Sequence, residues 1–347
     1  MALFSYLSLL KKAQKELIPL HCLFELTYQC NLRCLHCYII KRKEKEIKKE
    51  TVFYILRQLK DNGCLYLTFS GGEIFLRRDF FSIAHYACRL NFALRLFTNG
   101  TLITAEIADK IKELYPLAIE ISLYGFKDTH EKITRIKGSF LRTVNAIKLL
   151  VKRKIKVLVK TVLMRQNVTE IWKLKDFVED LGAQMRQIGG GLLISPCDNG
   201  NKRPLNYRLT DGQLKKYLKE EFKQRKSLNQ NYKPKKIKEN ESLCNSGLTT
   251  CNISPYAELN PCVQIRLKHN SLKKRSFQEI WSWHPVIKRI RALRLKDRKV
   301  CLGCLANSYC FACLGIAYLE KGSFLACVPE FYRQARLRKE IYEESYL

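Results

Sequence analysis

No stretch of the 347 residues is apolar for long enough to cross a bilayer as a helix. The chain also lacks the layout of a secretory signal. It begins MALFSYLSLLKKAQKELIPL, apolar first and basic afterwards, with no small-residue cleavage site. These absences argue against a helical membrane span and point to the cytoplasm, with residues 1–20 read as a short helix capping the fold. No internal repeat at solenoid spacing is present, and no low-complexity tract beyond a lysine bias. Acidic residues are scarce: 32 Asp+Glu stand against 63 Lys+Arg, a net charge of +31. Such a balance suits a nucleic-acid partner, an acidic ligand, or lysine-rich solvated faces. The lysines are scattered over KRKEKEIKK, VKRKIKV, YKPKKIKEN and HNSLKKR, and no RNA-binding module signature accompanies them. Solvated faces are therefore the leading reading, and nucleic acid is not expected.

Cysteine, by contrast, is abundant. Fifteen occur, three within residues 30–37 and eight between Cys244 and Cys327. In a cytoplasmic chain of this size, clustered cysteines point to metal or redox chemistry rather than disulfides. Cys22, Cys64 and Cys88 stand apart in predicted strands and helices and read as core residues.

Through the first two-thirds of the chain, short apolar runs alternate with longer stretches of helical periodicity. The runs at 21–27, 64–70, 94–100, 117–125, 156–164 and 189–195 read as strands. Apolar positions at helical spacing lie between them, several ending at Asn or Gly. Six strand–helix repeats predict an α/β fold with parallel strands, a partial (β/α)6 TIM-like barrel. Six repeats fall short of the eight that close a full barrel, and chemistry in such folds sits at the C-terminal strand ends. The expected organisation is a capping helix at 1–20, the barrel at 21–210, a helix and Lys-rich linker at 211–240, a cysteine-dense domain at 241–330 and a C-terminal helix at 331–347.

Directly after the first strand comes TYQCNLRCLHCY, with Cys30, Cys34 and Cys37 spaced C-x3-C-x2-C. Four thiolates saturate a cubane iron–sulfur cluster, so three leave one iron free for an outside ligand. A zinc site completed by His36 is the competing reading. The spacing resembles the signature of the radical SAM enzymes. That resemblance implies a 4Fe–4S cluster on these three cysteines, with S-adenosylmethionine (SAM) chelating the fourth iron. One-electron reduction would then give methionine and a 5′-deoxyadenosyl radical that abstracts hydrogen from a substrate. SGGE (70–73) resembles the family's SAM-binding loop, implicating Gly71, Gly72 and Glu73, with Glu73 on the SAM amino group. FTNGTL (97–102) and ISLYG (121–125) resemble SAM-lining segments, implicating Thr98, Asn99 and Ser122. KTVLMRQN (160–167) resembles a strand facing adenine. No catalytic side chain beyond the ligands is assigned.

The eight later cysteines resemble the SPASM extension, which carries two auxiliary 4Fe–4S clusters and would bring the total to three. The resemblance implies Cys244, Cys251, Cys262 and Cys313 for the first, and Cys301, Cys304, Cys310 and Cys327 for the second; two structural zincs are the alternative. Fully ligated, these clusters would carry electrons rather than bind substrate. The sequence departs from the pattern at Ala257, where a turn glycine is usual, at the two-residue gap between Cys310 and Cys313, and at Val263, where sulfatase-maturing members have an aspartate.

The resemblance implies an oxidoreductase maturing a peptide or protein side chain through a thioether, carbon–carbon or related crosslink. A low-potential ferredoxin or flavodoxin would supply the electron. Only about twenty residues precede the first strand, so leader-peptide recognition is expected to use a separate protein or the barrel rim. Tetrapyrrole side-chain modification, as in alternative haem or haem d1 synthesis, is the alternative, and a non-catalytic iron–sulfur electron carrier the third.

Overall fold

The structure is a computed structural model that describes residues 2–186, 194–228, 230 and 232–346. One sheet organises it. Its strands are β1 (His21–Thr27), β2 (Tyr66–Gly71), β3 (Ala93–Thr98), β4 (Ala118–Ser122), β5 (Val157–Lys160), β6 (Gln184–Arg186), β7 (Thr250–Ile253) and β8 (Leu259–Asn260), in the spatial order β6-β5-β4-β3-β2-β1-β7-β8. The first six are parallel, and helices return the chain between them. The sixth run read from the sequence, 189–195, lies almost wholly outside the described residues. The strand beside β5 is Gln184–Arg186, just upstream.

Side-chain parity separates two faces. Cys22, Phe24 and Leu26 of β1, Leu67 and Phe69 of β2, Leu94 and Leu96 of β3, and Ile119 and Ile121 of β4 share one apolar core. Val52, Ile55, Ile83, Ile111, Ile147 and Leu174 meet them from the helices. These contribute most of the burial that holds the fold, each fully buried Leu, Ile or Phe being worth about 1.5–3 kcal/mol.

The opposite face is polar. Glu120 of β4 is buried among Arg95 of β3 (3.7 Å), Lys160 of β5 and Arg186 of β6 (2.9 Å). Glu25 of β1 is fully buried at the same level, against Asn252 of β7. A sheet that is apolar outside and charged inside is a half-barrel wrapped around a polar cavity.

The cysteine-dense region is joined to this sheet rather than hung from it. β7 pairs in parallel with β1 on the side away from β2, aligning Cys22 with Cys251 and Leu23 with Asn252. β8 then returns antiparallel to β7. Helices Ala2–Glu16 and Pro329–Tyr346 occupy the two ends of the chain. Among the described residues no helix is long and apolar enough to cross a membrane.

Candidate active site

The loop after β1 carries Cys30, Cys34 and Cys37. Its backbone is pinned from outside: Arg33 N donates to Thr134 O (3.0 Å) and Leu35 N to Ile133 O (3.0 Å), at the end of helix Lys127–Thr134. Cys37 N donates back to Cys34 O (3.2 Å). Leu32 N (3.4 Å) and Asn99 Nδ2 (3.8 Å) both donate to Cys30 Sγ. Such donors favour a thiolate over a thiol. Burial pushes all three thiols up, Cys37 to about 11, with Cys37 and Cys30 adding repulsion at Cys34 and Cys30 adding it at Cys37. Metal-free, the loop therefore holds neutral thiols, and loading a cluster must release protons.

Gly71, Gly72, Glu73, Thr98 and Asn99 form one knot beside Cys30. Gly72 N donates to Thr27 O (2.7 Å) and Glu73 N to Gln29 O (2.8 Å), strapping the turn after β2 onto the cysteine loop. A Cβ on Gly71 would lie 2.1 Å from Thr27 O, and one on Gly72 2.2 Å from Gln29 O. The glycines are thus demanded by the chain's own backbone.

Glu73, expected on the SAM amino group, is held in place by the chain itself. Its fully buried carboxylate accepts from Thr98 Oγ1 (2.8 and 2.9 Å), Asn99 N (2.7 Å) and Phe75 N (3.2 Å). Burial raises its pKa to about 7 against the pull of those donors. In this structure Glu73 ties the turn after β2 to the turn after β3. Asn99 continues the chain of contacts, donating to Asn31 Oδ1 (2.9 Å), while Asn31 Nδ2 donates to Thr101 Oγ1 (2.8 Å). Asn31 and Thr101 were not singled out from the sequence; their positions beside Cys30 and Asn99 were the available signal. Ser122 closes β4 on the cavity side, opposite Lys160 of β5.

His36 is half-buried with its ring 4.7 Å from Tyr124, edge to face, and desolvation of the ring lowers its pKa to about 4. Tyr124 stacks in turn on His130, whose Nδ1 accepts from Tyr124 N (3.2 Å). These rings pack the floor of the loop. Among the described residues no three His, Cys, Asp or Glu side chains converge on a single metal ion. Cysteines on the corners of a cubane each hold a different iron and need no such convergence.

A buried ionic group stands between the cysteine loop and the later region. Arg266 contacts Glu25 (3.0 Å), Asp198 (3.0 Å) and Asn252 Oδ1 (2.9 Å), and Tyr28 and Tyr38 donate to Glu25. Burial raises the Asp198 pKa to about 6, with Arg266 opposing. Cys197 points its Sγ at Cys37 O (3.6 Å). Sequence reasoning missed Arg266, whose one signal was its place four residues after Cys262.

The later cysteines fall into two groups and one outlier. Cys301, Cys304, Cys310 and Cys327 lie together, with Arg298 and Lys235 opposing their charge. Cys244, Cys262 and Cys313 form the second group. Cys251, expected with them, is elsewhere. It is buried against its register partner Cys22 and near Cys64, in the apolar core between sheet and helices. This corrects the four-cysteine assignment, and strand parity is the cause: on β7, residues 251 and 253 face the helices while Asn252 faces Glu25. The turn before β8 keeps its shape without glycine, Ala257 adopting φ +65°.

Residues 24–178 match the Radical SAM superfamily. Over 320 residues the chain is 26% identical to an AdoMet-dependent heme synthase of Methanosarcina barkeri, covering 82% of this chain and 91% of that protein. Over 316 residues it is 28% identical to the antilisterial bacteriocin subtilosin biosynthesis protein AlbA of Bacillus subtilis, covering 85% of this chain and 67% of that protein. Among solved structures, Streptococcus suis SuiB bound to precursor peptide SuiA shares the fold, with a TM-score of 0.67 at 18% identity over 91% of this chain and 76% of that one.

Proposed function

We propose that the chain, whose residues 24–178 match the Radical SAM superfamily, is an enzyme of that class that matures a peptide or protein side chain by forming a thioether, carbon–carbon or related crosslink. A reduced cluster carrying SAM supplies one-electron cleavage of SAM and a radical able to abstract hydrogen. Cys30, Cys34 and Cys37 would hold that cluster, and Gly71, Gly72, Glu73, Thr98, Asn99 and Ser122 would line the SAM.

The observation that carries this reading is the continuous hydrogen-bonded path from Cys30 Sγ through Asn99 to Glu73 and the Gly71–Gly72 turn. It fixes three strand-end loops relative to one another, and geometry fixed beforehand is what one-step radical chemistry needs. The thiols of the later region would hold two auxiliary clusters, bringing the complement to three. A low-potential ferredoxin or flavodoxin is the donor class such clusters require, and the cytoplasm is where their thiols stay reduced.

The peptide reading is supported by the bacteriocin-biosynthesis relative and by a surface of net charge +31 suited to an acidic leader segment. The heme synthase relative, matched over more of its own length, supports porphyrin side-chain modification as the second reading. Anaerobically reconstituted protein with SAM and dithionite should yield 5′-deoxyadenosine by mass spectrometry, and Cys34→Ala should abolish it. A mass loss of hydrogens in a peptide encoded beside the gene favours the first reading; a modified porphyrin favours the second. No cleavage of SAM with either partner present would sink both.

A further inference from the structure

A groove of about 710 Å³ is cut into the later region, and none of the residues assigned above to a cluster or to SAM lines it. Its walls are helix Phe277–Trp283, the start of helix Pro285–Ala292 and the segment that follows Cys262. His284 joins the two helices. Its Nδ1 accepts from Val286 N (3.3 Å) and its Nε2 lies 2.8 Å from Lys268 O, so one ring fixes both walls. Ile265, Leu267, Val286 and Phe324 make the base, and all four belong to the small core that also backs Cys244 and Cys262.

Aromatic rings and cations stand around that apolar base. Trp283 is 70% exposed and Tyr318 43%, the latter stacked on Phe324 at 4.8 Å. Trp and Tyr are the side chains that most often anchor a protein interface. Lys268, Arg275 and Arg289 line the same groove, all exposed, and among the described residues none of them forms an ion pair. Glu279, the one acid among the described lining residues, is turned to its own helix start, accepting from Ser276 N (2.7 Å) and Ser276 Oγ (2.9 Å). An adjoining recess of about 580 Å³ shares Leu267, Lys268, His269 and Arg275 and adds Lys274. Its own acids, Glu44 and Glu258, face Lys273 (3.6 Å) and Arg42 (2.6 Å). Surplus cations run through the whole chain, but here they rim a recess instead of a solvated face. The groove also reaches the barrel. Arg266 lines it while holding Glu25 of β1 and Asp198, and the Arg266 Nε is buried without a partner.

We infer that this groove docks an acidic segment of the peptide substrate, with carboxylates on Lys268, Arg275 and Arg289 and an apolar side chain against Trp283 and Phe324. A chain so held runs from the cationic rim to the wall of the polar cavity. Opposite charge steers the encounter and fixes the register, while the aromatic contact supplies the part that salt does not screen. A nucleic acid is the poorer fit, because phosphates call for a basic stripe and this recess is apolar at its base. The inference rests on the peptide-maturation reading and gives it a recognition surface within the later region.

The test is fluorescence anisotropy on the reconstituted full-length protein, without SAM or reductant. The probe is a fluorescein-labelled peptide of alternating Glu and Leu residues, which should bind, whereas its counterpart with Lys in place of Glu should not. Lys268→Glu, Arg275→Glu and Arg289→Glu together should weaken binding roughly tenfold, three exposed pairs being lost. Lys148→Glu, Lys152→Glu and Lys156→Glu make the same change of charge at exposed positions on and just beyond helix Ser139–Lys152. That variant should stay within about twofold of the parent at physiological salt. Trp283→Ala should weaken binding by a factor that added salt does not erase. Equal losses in the two triple variants would overturn the inference by reducing the attraction to net charge. So would an unaffected Trp283→Ala, or no binding of the acidic peptide. Coproporphyrin that binds where the peptide does not, and is lost in the groove variant, would also overturn it and move the groove to the porphyrin reading. Because the readout needs no catalysis, failure here leaves peptide maturation standing. Failure of that reading shows instead as a peptide of unchanged mass after the complete reaction.

Discussion

Substituting alanine for Gly72 separates two explanations of the Gly-Gly pair. The added Cβ would lie 2.2 Å from Gln29 O and 2.7 Å from Gln29 C, where ordinary contact begins near 3.4 Å. The Gln29 carbonyl must retreat by the difference, 3.4 − 2.2 = 1.2 Å. That movement breaks the 2.8 Å bond from Glu73 N to Gln29 O and strains the 2.7 Å bond from Gly72 N to Thr27 O. Each broken bond costs about 1 kcal/mol net, and a buried N–H left without a partner costs about 1–3 kcal/mol. The local penalty is therefore roughly 2–5 kcal/mol, placed next to Cys30. Gly72→Ala should fold, retain the auxiliary iron, and lose about four irons per chain from the SAM-side loop. Iron and sulfide analysis on reconstituted protein reads this directly, with circular dichroism as the folding control. If Gly72→Ala keeps its full iron and loses only SAM affinity, the glycine is there for the ligand and the backbone-clash argument is wrong.

Three further outcomes follow from buried charge. Glu73 is protonated more readily folded than unfolded, its pKa rising from 4.5 to about 7. Its contribution is thus fully present below about pH 4.5 and lost as pH climbs to about 7, roughly 3 kcal/mol in all. Glu73→Gln should flatten that part of the profile of melting temperature against pH. His130 tilts the other way: with its pKa lowered from 6.5 to about 4 by burial, stability is present above pH 6.5 and falls by roughly 3 kcal/mol on acidification to about 4. His130→Phe should remove this acid sensitivity, and an unchanged slope would mean the ring is hydrated in solution. Arg266→Met strips the cation from fully buried Glu25 and should cost about 3–5 kcal/mol by thermal or denaturant unfolding. Adding Glu25→Gln should recover much of that loss, and an unrecovered double variant would place the damage in packing instead.

The strands, and the gathering of the residues after them beside Cys30, were legible because each rests on local pattern. Apolar runs mark β1 to β5, and the turns SGGE, TNG and SLYG directly follow strands. β6 was harder to place: QMR has no apolar run, and its Arg186 is held by the distant Glu120. The Cys251 assignment failed for a related reason. Spacing along the chain says nothing of which way a residue faces, and β7 takes its facing from pairing with β1, more than two hundred residues away. Ala257 shows the reverse case. A left-handed residue disfavours any side chain, by roughly 1–2 kcal/mol. Yet Ser254 Oγ accepts from Tyr256 N and Glu258 N, and Leu272 N donates to Ala257 O (2.8 Å), which overdetermines the turn. The glycine was dispensable because the surroundings dictate the backbone.

The pairing of β7 with β1 bears on how the two halves of the chain can be handled. The loop of Cys30–Cys37 springs from the end of β1, and the group of Cys244, Cys262 and Cys313 is anchored by β7 and β8, adjacent strands of one sheet. The separation of the two thiol groups is accordingly set by a hydrogen-bonded ladder and not by a linker. A truncation before residue 241 would strip β1 of its neighbour and leave an open strand edge, a template for aggregation. It would also uncover Cys22 and strip Glu25 of Arg266 and Asn252. The first 240 residues should therefore behave poorly as an isolated fragment, and grafting the later region onto another barrel would require carrying the matched faces of both strands.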